Sequence, residues 1–146
     1  MKKIIITIFV LLLFIILSST LAANSGSRTS DVQLLARAIN GEARGESYEG
    51  QVAVGAVILN RVKDPSFPNT IAGVIYQNGA FTAVSDGQIN VPISENSTVY
   101  KAAQDALNGW DPTNGCTYYF NPDTATNSWI WSKQIVKKIG KHNFCK

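Results

Sequence analysis

Residues 30–64, SDVQLLARAINGEARGESYEGQVAVGAVILNRVKD, decide the fold. Ser30 followed three residues later by Gln33 is a capping box, and Asp31 suits the positive end of a helix dipole. Val32, Leu35, Ala36 and Ile39 recur at i, i+3, i+4 and i+7, one apolar stripe, before Gly41 offers a stop. Glu42 is therefore expected at or just past the C-terminal end of a core helix. Ser47 caps a second helix with Glu49 in its first turn, and the run Val52 to Leu59 is apolar on every side, as in a buried central helix. Pro65 and Pro68 cannot continue it, so it ends by Asp64.

Downstream, Thr70 caps a short helix through Ile71, Val74 and Ile75 to Tyr76, and Asn78 with Gly79 marks a turn. From Phe81 to Ile93 there is little periodicity and many turn formers, which predicts a loop or an irregular hairpin. Val99, Ala102, Ala103 and Ala106 restore helical spacing, ended by Gly109 and Pro112. Thr117 to Phe120 has strand composition. Trp129 to Trp131, Ile135 to Ile139 and His142 to Phe144 read as a small terminal sheet or hairpin. The class is α+β, predominantly helical with a small C-terminal β-sheet or hairpin.

Upstream, Lys2 and Lys3 precede an apolar run from Ile4 to Leu17, broken by Thr7, and small residues through Ala23. This is the layout of a signal peptide at 1–23, followed by a polar linker at 24–29 and one domain at 30–146. An uncleaved membrane anchor is the other reading of the same segment. Without Lys2 and Lys3, the 13 basic and 10 acidic residues become 11 and 10, a net charge near +1. Nucleic acid is thus not an expected partner, and the membrane matters only during export. Lys137, Lys138, Lys141 and Lys146 form a short basic cluster that reads as a solvated edge. Cys116 and Cys145 could pair outside the cytoplasm, but nothing in a sequence shows that their Cα atoms come within bonding reach. One His and two Cys make a poor zinc site, so no metal or cofactor is expected.

A glycosidic bond breaks through an oxocarbenium-like transition state, and its leaving oxygen needs a proton from a carboxylic acid whose pKa is raised. Glu42 suits this role: it follows an apolar helix whose negative terminus disfavours the carboxylate, and Gly41 and Gly45 leave room beside it for a polymer. The plainer reading makes GEARGE (41–46) a solvated connection in which Arg44 pairs one of the glutamates.

The stretch LLARAINGEARGESYEGQVAVGAVILNRV (34–62) resembles the signature of the bacterial spore cortex-lytic enzymes, the SleB and CwlJ group of cell wall hydrolases. Further motifs match in order: FTAVSDG (81–87), YYFNP (118–122), the segment 129–131 and IGKHNFCK (139–146). The resemblance implies a lysozyme-like or resuscitation-factor-like fold and cleavage of peptidoglycan between muramic acid and glucosamine units, often as a lytic transglycosylase. It implies Glu42 as the catalytic acid. Peptidoglycan is then the expected partner and the spore cortex or cell wall the expected location, for a monomer whose activating partner, if it has one, is unknown.

A hydrolase needs a base or nucleophile about 5 to 9.5 Å from the acid, and Glu46, Glu49 and Asp86 are the candidates. Glu46 reads as a supporting or surface residue, Glu49 as a dipole partner, and Asp86 before Gly87 as a turn residue. With no evident second carboxylate, a one-acid transglycosylase is preferred to a muramidase. Thr82 could bond substrate or the acid, and is equally suited to a turn or strand role. Tyr118, Tyr119 and Trp129 are candidate sugar-stacking residues; with Trp131 they are equally suited to core packing, which strand alternation should impose on about half of the four. His142 could orient a carboxylate but reads first as a satisfied structural histidine in a terminal strand. Two rival classes are a cysteine peptidase or amidase using Cys116 or Cys145 with His142, and a wall-binding module without catalysis. If the leader is a signal peptide, mass spectrometry of the exported protein should find a mature N-terminus at Ala23 or Asn24; retention of Met1 would overturn that reading.

Overall fold

The computed structural model describes residue 28 and residues 30–146; the expectations for 1–23 and 24–29 lie, Arg28 aside, outside the described residues. Helix α1 occupies residues 30–43 and buries Leu35, Ala36, Ala38, Ile39 and Ala43 along one side. Helix α2, Tyr48–Lys63, begins where the Ser47 hydroxyl accepts from Gly50 N–H at 3.2 Å. Every residue from Gly50 to Ile58 is buried. Each such Val or Ile side chain contributes about 1.5–3 kcal/mol relative to exposure, which is why α2 is the centre of the domain. Asp64 ends it, ahead of Pro65.

Helix α3, Ile71–Ile75, starts with Thr70 Oγ1 accepting from Gly73 N–H at 3.0 Å. Helix α4 is a single turn, Thr82–Ser85, followed by a 3₁₀ turn at Gln88–Asn90. Helix α5, Thr98–Leu107, is capped by Ser97 and lays Val99, Ala102, Ala103 and Ala106 against α2. The chain then enters strand β1, Tyr118–Phe120, followed by a 3₁₀ turn at Ser128–Ser132 and the strands β2, Ile135–Ile139, and β3, His142–Cys145. The sheet order is β1-β3-β2, both pairs antiparallel, with Tyr119 opposite Phe144 and Ile139 opposite His142. Tyr119 packs with Phe144 against the main core, while Phe120 and Cys145 join Ile130 in a second, smaller cluster.

The last turn of α2 sets where β1 begins. Asn60 Nδ2 donates to Asp111 Oδ2 at 2.9 Å and to the Cys116 carbonyl at 3.0 Å, and Arg61 Nε donates to the Thr117 carbonyl at 2.7 Å. Asp111 also accepts from the N–H groups of Thr113 and Gly115, holding the loop before β1 in one shape.

Three expectations are corrected. The first helix does not stop at Gly41 but runs through residue 43, so Glu42 lies in its last turn. A glycine is needed there for close packing: a Cβ on Gly41 would stand 2.5 Å from Ala83 Cβ. Residues 81–93 are not a hairpin but two short helical turns, because they pack on the end of α1 and borrow a side-chain cap from it, described below. Trp129 to Trp131 is not a strand, because Asn127 Oδ1 accepts from Trp129 N–H at 3.0 Å and starts a 3₁₀ turn. Gly41→Ala should therefore push α4 off α1 and cost about 1–3 kcal/mol as overpacking; urea unfolding that matches the parent would disprove this contact.

Candidate active site

The C-terminal turn of α1 aims Glu42 into a cleft of about 590 Å³. It is lined by residues 77–80, by Asn121, Thr124–Asn127 and Trp129, and by Arg61, Tyr119 and His142 among others. Glu42 Oε1 accepts from Ala83 N–H at 2.7 Å, and Oε2 accepts from the Tyr119 hydroxyl at 2.8 Å. The first bond supplies the cap that α4 lacks, since Phe81 makes no side-chain cap of its own. The second depends on Tyr119 keeping its proton. Burial, reinforced by the Glu42 charge, pushes that phenol well above its ordinary value. Both carboxylate oxygens are thus held in one orientation by donors 41 and 77 residues away.

Of the other sequence candidates, Thr82, Tyr118, Tyr119 and Trp129 line the cleft with Glu42. Tyr118 and Trp129 meet edge to face at 5.2 Å, and the Lys133 ammonium lies 4.4 Å and 4.7 Å from their ring centroids. Trp129 and Trp131 are both half exposed, but only Trp129 lines the cleft; Trp131 meets the cleft residue Phe120 edge to face.

Glu46 and Asp86 do not line the cleft. Glu46 Oε2 accepts from Lys141 N–H at 3.1 Å in the β2–β3 turn, where Gly140 has φ +57° and a Cβ would collide with that carboxylate. Asp86 closes its own turn by accepting from Gln88 N–H at 3.0 Å. Arg44 donates to Gln88 Oε1 at 2.6 Å and not to a glutamate, so GEARGE is not the self-paired solvated connection of the plainer reading. Glu49 pairs at 3.0 Å with Lys137 on the surface, one lysine of the C-terminal basic cluster.

Both cysteines are free, buried thiols. Cys116 Sγ donates to the Thr113 carbonyl at 3.1 Å, and burial pushes Cys145 up to about 11. A thiol held protonated in this way is a poor nucleophile, which removes the physical basis of the cysteine peptidase reading. Among the described residues no three His, Cys, Asp or Glu side chains converge to hold a metal ion.

Two parts of the site were not read from the sequence. Arg61 looks there like an ordinary basic residue at a helix end, and the Ala83 N–H carries no side-chain signal at all.

With this geometry in hand, a family model described as "Cell Wall Hydrolase" matches residues 45–145. The chain belongs to that family. A Bacillus cereus protein described as "Spore cortex-lytic enzyme" is 61% identical over 122 residues, 84% of this chain and 46% of that protein. The chain thus spans about half the length of such curated relatives, and an alignment of that extent necessarily includes Glu42, which precedes the family-model match. The crystal structure of the catalytic domain of Bacillus cereus SleB superposes with a TM-score of 0.74 at 62% identity, covering 81% of this chain and 91% of that one. The catalytic domain of a Bacillus anthracis SleB, titled a germination-specific lytic transglycosylase, gives the same TM-score and identity over 80% and 93%. The helix-dominated domain with its small sheet has the lysozyme-like fold of these structures.

His142, the sole histidine of the chain, should make the stability of the fold depend on pH. It is buried edge-on to Tyr119 at 5.1 Å, and its Nδ1 has no hydrogen-bond partner. Burial lowers its pKa, opposed in part by Glu46 and Glu42. The folded value is depressed, so above about pH 6.5 the imidazole is neutral in both states and costs nothing. As pH falls, the unfolded chain binds a proton that the fold excludes. Stability should then drop by at most about 1.4 kcal/mol per pH unit until the folded pKa is reached. Urea unfolding between pH 7.5 and 5.5 should show a shallower slope in His142→Gln; equal slopes would exclude His142 as the source.

Proposed function

We propose that this chain cleaves the glycan strand of peptidoglycan between muramic acid and glucosamine units as a lytic transglycosylase, with Glu42 as its one acid and base. The observation that carries this reading is that Glu42 is the only carboxylate lining the cleft among the described residues. In the first step the protonated Glu42 donates to the leaving glycosidic oxygen as the C1–O bond breaks, leaving an oxocarbenium-like sugar and a carboxylate. In the second step that carboxylate takes the proton of the muramoyl 6-hydroxyl while its oxygen bonds to C1. The product carries a 1,6-anhydro ring, no water is consumed, and Glu42 is again protonated. The two donors that orient Glu42 serve both steps, since the same oxygens must face the leaving group and then the incoming hydroxyl.

Support for the substrate comes from family membership and from the similarity to a spore cortex-lytic enzyme and to a germination-specific lytic transglycosylase. We place the activity in the spore cortex on the same grounds, with export by the leader at 1–23 as part of the proposal. Tyr118 and Trp129 form the sugar platform, Thr82 bonds substrate, and Tyr119 positions the acid. Glu46 supports the site through the β2–β3 turn that precedes His142, and Asp86 keeps its turn beside α4.

Glu42→Gln keeps the side-chain shape but removes the proton cycle, so lysis of purified cortex peptidoglycan should fall by about 10²–10⁴-fold while the fold and wall binding persist. Mass spectrometry of wild-type products should find anhydromuramoyl ends, lighter by one water than reducing ends. Reducing ends throughout would replace this mechanism with hydrolysis.

A further inference from the structure

Arg61 is buried at the base of the cleft, only 8% exposed, yet it pairs with no carboxylate among the described residues. Its Nε is used by the Thr117 carbonyl at 2.7 Å. Its guanidinium carbon lies over the rings of Phe81, Phe67 and Tyr118, with centroids 5.0, 5.2 and 5.5 Å from Cζ. The two terminal nitrogens have no hydrogen-bond partner, and neither is sealed from solvent, because His142 Nδ1 is the one fully buried polar side-chain atom left unpaired among the described residues. They are therefore open donors at the cleft surface. A guanidinium stays protonated even when buried, so several N–H bonds at the floor of the cleft await an acceptor.

We propose that Arg61 binds an amide carbonyl oxygen of the glycan strand through these terminal N–H groups and so fixes the sugar ring beside Glu42. An uncharged acceptor is the better occupant, because a carboxylate here would repel the carboxylate that Glu42 becomes once it has given up its proton, and Glu42 is close enough for its charge to act on Arg61. The rigid setting explains why an arginine serves this purpose. Nε is anchored and three rings pack against the guanidinium, so little side-chain freedom is left to lose on binding. Two groups of the strand present such a carbonyl: the 2-acetamido group of the N-acetylated sugars, and the amide formed from the lactyl group of muramic acid.

The proposal rests on the peptidoglycan reading but not on the choice between transglycosylase and hydrolase, since it is tested by binding. Arg61→Met keeps length and apolar packing, and Arg61→Lys restores the charge. With melting temperature as the control for folding, each variant is titrated with tetra-N-acetylchitotetraose and with muropeptide-derived glycan chains. Loss of a charge-assisted bond should weaken binding about tenfold or more in Arg61→Met, with partial recovery in Arg61→Lys. Weakening on chitotetraose assigns the acetamido carbonyl, and weakening on the muramoyl chains alone assigns the lactyl amide. Wild-type affinity for both ligands in Arg61→Met would overturn the proposal. If that variant does not fold, nitrogen NMR of the wild-type guanidinium decides: its resonances should shift when the muramoyl chains are added, and no shift would also overturn it. Reducing-end products together with weakened binding would displace the transglycosylase mechanism and leave the Arg61 subsite standing.

Discussion

The carboxylate of Glu42 is where three parts of the chain meet: the end of α1, the first turn of α4 and strand β1. Its two oxygens are bonded to a backbone N–H from one and a phenol from another, so the position of the acid reports the position of all three. The constraint is local at each end. Gly41 permits α4 to approach α1 closely enough for the Ala83 N–H to reach Oε1. On the other side, Asn60 and Arg61 tie the entry of β1 to the end of the buried helix, which sets where Tyr119 falls.

This arrangement gives similar residues different surroundings. Glu42 and Glu46 are four residues apart in one acidic motif, but only the first reaches the cleft; the second is spent on the β2–β3 turn. The strand YYF (118–120) shows the same division. Tyr119 points to the core and the acid, while Tyr118 and Phe120 turn to the outer cluster, with Tyr118 reaching the cleft beside Trp129. The buried groups on the cleft floor differ in how well they are satisfied. Tyr119 has a strong acceptor, His142 has an unpaired nitrogen, and Arg61 has unused donors. An unpaired polar group near a cleft is costly to the fold and useful to a ligand.

Much of this was legible in the chain alone. Periodicity placed α1, α2 and α5 because burial on one side, or on all sides for α2, imposes a helical repeat that needs no partner to be seen. Caps at Ser47 and Thr70 were readable because a side-chain oxygen and the N–H it accepts lie three residues apart. The acidic motif marked Glu42, and its resemblance to a known family gave it a role.

What only the tertiary structure decided were features whose partners are distant in sequence. The region from Phe81 to Ile93 has no periodic signal, and its helical turn exists because a carboxylate 41 residues away caps it. Arg61 reads as a surface cation until three aromatic rings from separate segments close over it. Trp129 to Trp131 has strand composition, and a local Asn127 cap wins over that propensity. A sequence carries the period of a helix within one turn, whereas the meeting of residues 42, 61, 83 and 119 depends on how whole elements pack, and packing is a property of the folded chain.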